Sequence, residues 1–579
     1  MLQSLECLPD EILHSILILS FPTDAAALQQ TSRRFGQVTS EPLLWRHYCR
    51  HHYRFWDSKH NIVQKLASQV SFVDWKALYT ARHRVHQSVC RLLDGILACQ
   101  TGRIEKFRAV IDLGYDAKDT LLWHSQVTTG EDHLARRYYA QALLTCLHRS
   151  IAIPEWAKLR RGEPVSYERA MGAFDLFILQ SGFGDLNEVQ DTLDRVLSQF
   201  IASHGTSEAR TPRETALLLA SWLRDMNFTG IESGLEYHAL EHNFLGLAIK
   251  SPGHNSLPLI SAVIYCYFAQ KIGLNARPCG FPFHVHVIIS PPLGLDMDGK
   301  STPGKVPGSP MYIDPFRGAR ETPISDLRDQ LNFLGTPDTE QDVFLGPLEV
   351  SETVIRCSKN ILNSIHSLTR PGGQSASVDV LGAKYAALWS IMLLAGETRA
   401  MELRHQLPCL MELFATEFPS DIFLVEKYIA PLFQGLFEHE HILESLHVMR
   451  AVDEIPKQVR KRSGEKKHIR FKVGQVFQHR RYFYRAIITG WDSECDAGEQ
   501  WMRRMGIDRL QAGRHQSFYH VLAEDRSMRY VAEENIELIF PKLDDLPQDL
   551  IMVAGKHFKR WDAASGTFVS NMRDEYPDD

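Results

Sequence analysis

The residues best suited to chemistry in this chain lie between His254 and Asp314. The stretch "HNSLPLISAVIYCYFAQKIGL", from His254 to Leu274, reads as an apolar helix. Ten residues later comes "HVHVII", beginning at His284 and reading as a strand, and then "MYIDPF", which carries Asp314. A helix, a histidine and a carboxylate in that order are the parts of a nucleophile–base–orienter triad. Within the helix, Ser261 and Cys266 are the hydroxyl and thiol candidates. His286 is expected on the same strand face as His284. Two such histidines raise the question of a metal, but no carboxylate or third ligand accompanies them, so neither metal nor cofactor is expected.

The elements that must position these residues belong to a long chain. Its 579 residues allow three or four domains, and 44% hydrophobic with 23% charged residues is a globular composition. Net charge −6 argues against a chain that coats nucleic acid generally. Ten scattered cysteines without a C-x-x-C pair fit reduced thiols, hence a cytoplasmic or nuclear setting. Acidic residues at Glu6, Asp10 and Glu11 speak against a signal peptide, and the best apolar run, near Leu257–Ala269, is too short to span a membrane. The fold class is multidomain α+β. A helical segment is expected over 60–164, an α+β core over 165–330 with a flexible loop at "LGLDMDGKSTPGKVPGSP", and paired helices over 350–452. A basic linker over 453–470 then leads to a small β-barrel over 471–545 and a disordered tail over 565–579. Eight Lys or Arg between Lys457 and Lys472 define the linker.

The N-terminal module, residues 4–56, should be three short helices with breaks near Gly36 and Pro42. So many large apolar residues in about fifty positions exceed what the module can bury internally. "LPDEIL…L…TSRRF…LLWR" resembles the F-box. Leu8, Pro9, Ile12, Leu13, Ile16, Leu17, Leu28, Phe35, Leu44 and Trp45 fall at that family's spacing. The resemblance implies docking on a Skp-type adaptor and, through it, on cullin and RING subunits.

The segment from "LEYHALEHNFLGLAIK" through "YIDPFRG" resembles the transglutaminase-like domain of a bacterial regulator family. That domain also occurs between an F-box and a C-terminal β-domain in F-box-only proteins. The landmarks are Asn243-Phe244-Leu245, Pro258, Ala262-Val263-Ile264-Tyr265, Gly273, Phe281-Pro282, His284 and Ile313-Asp314. Alignment through these residues implies that Ile260 stands where catalytic relatives carry cysteine. Ser261 is about 100° round the helix from it, and Cys266 lies ~6–9 Å deeper along the axis. The four residues Ser261, Cys266, His284 and Asp314 are then vestigial, and the domain is a catalytic fold kept for recognition.

"FKVGQVFQHRRYFYRAIITGWD…SFYHVLAEDRSMRYVAEENIEL" resembles the hemimethylated-DNA-binding, YccV/HspQ-like domain. Residues 471–540 hold ten Lys or Arg and ten Asp or Glu, so the segment is formally neutral, unlike a duplex-binding face. Tyr482, Tyr484, Trp491, Tyr519 and His520 are candidates for contacting a protein target. The whole reads as the substrate receptor of an SCF-type ubiquitin ligase, non-catalytic itself. Two other readings are a thiol or serine amidase or isopeptidase, and a DNA-binding regulator acting through the C-terminal domain.

Overall fold

The computed structural model describes residues 5–178, 185–205, 210–303, 308–368, 377–395, 400–462 and 469–579. Residue 4 of the first module, residues 304–307 of the expected loop and residues 463–468 of the expected linker lie outside them. The chain divides into two compact units, Met1–Leu147 with His447–Asp579, and His148–Leu446.

The first unit opens with four short helices rather than three: α1 (Asp10–Ile18), α2 (Pro22–Gln29), α3 (Arg33–Val38) and α4 (Pro42–His52). Pro22 and Pro42 begin α2 and α4, where a missing N–H costs nothing, and Ser32 caps α3 by accepting the Phe35 N–H at 3.3 Å. Gly36 lies inside α3 and breaks nothing. Leu13, Leu17, Phe35, Leu44, Trp45 and Tyr48 form the centre of this head. The polar ends of the two largest are satisfied: Trp45 Nε1 donates to the Thr39 carbonyl at 2.7 Å, and Tyr48 OH to the Leu17 carbonyl at 2.6 Å. The outer face of α4 is covered by the helix Trp75–Ala98, whose Tyr79 ring lies 5.4 Å from Trp45 and 6.0 Å from Tyr48. The surplus apolar surface of the module is therefore partly hidden by its own downstream chain. Below it, the buried Arg82 pairs with Asp116 and Asp119 and stacks on Tyr53, tying the end of the head to that helical segment.

The same unit contains the C-terminal domain. Its five-stranded antiparallel sheet runs β8–β7–β6–β5–β9, built from β5 (Val476–His479), β6 (Arg485–Asp492), β7 (Phe518–Ala523), β8 (Met528–Ala532) and β9 (Ile536–Leu538). A hairpin of β10 (Phe558–Asp562) and β11 (Thr567–Ser570) follows. Residues 565–579, expected to be disordered, are instead part of the core. Phe568 and Tyr576 are buried, Gly474 and Phe568 are joined backbone to backbone, and the Asp579 carboxylate accepts from Trp491 Nε1 at 3.0 Å. Gly474 has φ 92° and Gly490 faces the Tyr576 hydroxyl, so neither position has room for a side chain. The expected linker is corrected by the same tail. Arg460 donates its N–H to the Glu575 carbonyl at 2.7 Å, and the Arg462 guanidinium pairs with Asp579 at 2.6 Å.

In the second unit, the helix Tyr167–Ile178 is buried along nearly its whole length. Against it pack the helices Val350–Leu368 and Val380–Leu394, which the pattern had set apart in a segment of their own. An Arg149–Asp421 pair with both N–O distances below 3 Å is fully buried. The apolar helix Pro258–Lys271 packs on a four-stranded antiparallel sheet of β1 (Asn275–Pro278), β2 (Val287–Ser290), β3 (Met311–Ile313) and β4 (Glu321–Thr322).

Two outcomes follow. Asp421→Ala removes the carboxylate that pairs with the buried Arg149, so urea unfolding of the second unit should register a loss of about 3–5 kcal/mol. Truncation after residue 565 removes Phe568, Tyr576 and the Asp579 carboxylate. It should destabilise the C-terminal domain by at least about 3 kcal/mol, whereas a disordered tail could be removed without cost.

Candidate functional site

The β2–β3 register pairs Val287 with Ile313, so the residues before one strand meet those after the other. That places His284 and Asp314 together, with Nε2 to Oδ2 at 2.7 Å. Both histidines precede β2 rather than lying within it, a correction to the strand placement. Asp314 also accepts the N–H groups of Phe316 and Arg317 at 3.1 and 3.2 Å. Burial pushes its carboxyl upward, but the His284 hydrogen bond and the nearby positive charge outweigh that and hold it below the usual carboxylate range. His286 donates to the His284 carbonyl at 3.1 Å, and burial lowers its basicity.

Between Pro282 and His284 the backbone makes a three-residue turn, His284 N–H donating to the Pro282 carbonyl at 2.7 Å. Phe283 at its centre has φ 62° and is 88% exposed. Phe316, 5.7 Å from the His284 ring, and Tyr237, 5.8 Å from Phe316, complete an aromatic rim. These three residues escape a reading based on polar chemistry. Phe283 gives a signal only once its left-handed backbone is seen.

The nucleophile candidates do not join the pair through any hydrogen bond. The Ser261 hydroxyl is buried, accepts the Gly230 N–H at 3.1 Å and is hydrogen-bonded to Ser256 Oγ at 2.7 Å. Cys266 is fully buried, and burial pushes its thiol well above the ordinary range. Ile260 is buried in the first turn of the helix.

In the N-terminal head, the expected adaptor contacts separate into two sets. Leu13, Leu17, Phe35, Leu44 and Trp45 are interior residues and are corrected to core, while Leu8 and Leu28 pack at its edge. Pro9, Ile12 and Ile16 face solvent. Four further residues of the head that the motif did not single out are also exposed: Leu5, Leu43, Leu19 at 89% and Phe21 at 72%. Phe21 sits just ahead of α2, its N–H donating to the Asp24 carboxylate at 3.1 Å.

In the C-terminal domain, Trp491 and Tyr519 are corrected to core: Trp491 lies on β6, which is buried on both faces, and Tyr519 on β7, where only His520 is exposed. Tyr482 is exposed, and Tyr484 lies half-buried under the Arg529 guanidinium, 4.1 Å away. His520 is partly exposed and donates to Asp492 at 3.1 Å. Burial raises the Asp492 carboxyl, yet hydrogen bonds from His520, Tyr530 and Arg460 bring it down to about 2. Among the described residues no group of three or more His, Cys, Asp or Glu side chains could hold a metal ion, and no helix is long and apolar enough to cross a membrane.

Comparison with known proteins matches three family profiles. Residues 5–51 match an F-box-like domain, 187–359 the transglutaminase-like superfamily, and 469–565 the family described as hemimethylated DNA-binding protein YccV like. A protein named F-box only protein 21 from Pongo abelii is 25% identical over 357 residues, 59% of this chain and 51% of the relative. Proteins of the same name from Mus musculus and Homo sapiens are 35% and 34% identical over 141 residues, 24% of this chain and 22% of each relative. The matched region thus spans about half the length of the first of these relatives, and less of the others. No solved structure matches the chain. With its F-box-like head, transglutaminase-like middle and C-terminal YccV-like domain, the chain has the architecture of an F-box-only protein.

Proposed function

We propose that the chain is the substrate-recognition subunit of an SCF-type cullin–RING ubiquitin ligase, acting in the cytoplasm or nucleus. The observation that carries this reading is the exposure of Ile12 and Ile16, one turn apart on α1 of the F-box-like head, together with that of Leu5, Leu19, Phe21 and Leu43. The head's own core is complete without these side chains, and the following helix covers α4, so they await a cover of another kind. A Skp-type adaptor supplies it, at an interface of roughly 800 Å² on each side. Cullin and RING subunits follow through the adaptor. The middle and C-terminal domains hold the target, and transfer to target lysines proceeds by proximity to the conjugating enzyme.

On this reading the chain contributes no nucleophile of its own, with Ile260 at the position where catalytic relatives carry cysteine. The retained His284–Asp314 pair, at 2.7 Å, supports a second reading as an amidase or isopeptidase. It requires Ser261 or Cys266 to reach the histidine. Serine- and cysteine-directed activity probes should leave both residues of the folded chain unmodified. Labelling of Cys266 that disappears in His284→Ala would establish the second reading instead.

Core and interface can be told apart by substitution. Ile12→Asp and Ile16→Asp should leave thermal stability within about 0.5 kcal/mol of wild type, since both side chains are exposed. They should weaken adaptor binding in calorimetric titration by about 2–4 kcal/mol, roughly 30- to 1000-fold. Leu13→Ala, in the interior, should instead cost about 2–5 kcal/mol of head stability.

A further inference from the structure

The described residues with left-handed backbone other than glycine are Asn61, Asn227, His254, Phe283, Phe483 and Arg526. For a bulky aromatic this conformation is an outlier held by its surroundings, and such strain collects at functional positions. Phe483 occupies it, with φ 58°, at the tip of the β5–β6 hairpin. Its ring is 71% exposed, so burial does not offset the strain.

The hairpin holds this shape through its own hydrogen bonds. His479 Nδ1 accepts the N–H groups of Arg481 and Tyr482 at 3.1 and 3.2 Å. The Phe483 N–H donates to the His479 carbonyl at 2.8 Å, and Gln478 Nε2 to the Phe483 carbonyl at 3.1 Å. The Arg480 N–H donates to the Asn535 carbonyl at 2.9 Å. With the backbone occupied in this way, the side chains of Arg480, Arg481, Tyr482 and Phe483 all face solvent. The Arg481 guanidinium lies 5.4 Å from the centre of the Tyr482 ring, and neither Arg480 nor Arg481 has an ion-pair partner among the described residues.

We propose that this hairpin tip is a docking site for a protein segment in which an apolar side chain is flanked by carboxylates. Exposed aromatic rings on a rigid turn offer contact area at low entropic cost, and two unpaired guanidiniums select carboxylates through forked hydrogen bonds. A nucleic acid fits less well. The segment 471–540 is formally neutral, and Glu537 sits beside the hairpin, opposite Gln478 in the β5–β9 register. Glu533 and Glu534 lie in the connection that supplies the Asn535 carbonyl. These carboxylates oppose phosphates running along the domain, whereas the tip itself presents the exposed Arg480 and Arg481, enough charge for a short acidic segment. The proposal deepens the receptor reading and rests on it only in treating the bound segment as a target.

The test uses the full chain on an array of immobilised short peptides, each with one aromatic or aliphatic residue among acidic, basic or neutral neighbours, beside a duplex oligonucleotide. Acidic–apolar peptides should bind preferentially, and the double variant Arg480→Glu, Arg481→Glu should lose at least about tenfold in affinity. Phe483→Gly should weaken binding similarly while leaving the melting temperature equal or higher, because glycine relaxes the turn. A lowered melting temperature in Phe483→Gly would make the ring structural and overturn the proposal. So would binding unchanged in either variant, no preference for acidic–apolar peptides, or stronger salt-dependent binding of the oligonucleotide. Adaptor binding measured on the same samples separates the two readings. Its loss in wild type with peptide binding intact defeats the receptor reading alone.

Discussion

The arrangement of the N-terminal module rests on how its apolar surface is divided. Trp45 and Tyr48 turn inward and are closed off by Tyr79 of the following helix, which fixes the module to the rest of its unit. Once that contact is made, Leu13, Leu17, Phe35 and Leu44 are saturated neighbours in a finished core. Ile12, Ile16, Leu19 and Phe21 have no place in it and remain outside. A head that must pack one face on its own chain can offer only the other to a partner. On the proposed reading, that constraint sets the module's orientation on the adaptor, because the side packed on its own chain is held in place.

The middle domain carries a comparable division between the His284–Asp314 pair and the buried Ser261 and Cys266, which are not hydrogen-bonded to it. Antiparallel pairing of β2 and β3 brings His284 and Asp314 to hydrogen-bonding distance as a consequence of register. The pair satisfies two groups that burial would otherwise penalise, so it stabilises the scaffold whether or not it acts on anything. Ser261 has been absorbed into a bond with Gly230 and Ser256, and Cys266 into the core of its helix. The rim beside the pair is aromatic, with Phe316 against the His284 ring and Tyr237 against Phe316.

What could be read in the sequence follows from how local the determining physics is. The order helix, histidine, aspartate and the apolar spacing of the head are local patterns, and both appear in the structure. The failures involve partners far apart in the chain. Helix α1 is apolar on two adjacent faces, so spacing alone cannot say whether Ile12 and Ile16 or Leu13 and Leu17 point inward. That choice is made by α3 and α4. Arg460 and Arg462 look like solvated linker charges until Glu575 and Asp579 arrive from the other end of the domain. Trp491 and Tyr519 look like surface aromatics because period-two alternation presumes one wet face; β6 has none, and β7 exposes only His520. The left-handed Phe283 and Phe483 contradict the residue preferences on which turn prediction relies, so only the folded context shows them.

On the proposed reading, the exposed apolar residues of the head are a protein-docking surface covered by a Skp-type adaptor. That docking is tested most directly by calorimetric titration of the purified wild-type chain with a purified recombinant adaptor at several temperatures. The account predicts a one-to-one complex whose binding heat grows more negative with temperature, the mark of apolar surface leaving water. Absence of a complex at micromolar concentrations of both proteins would contradict it.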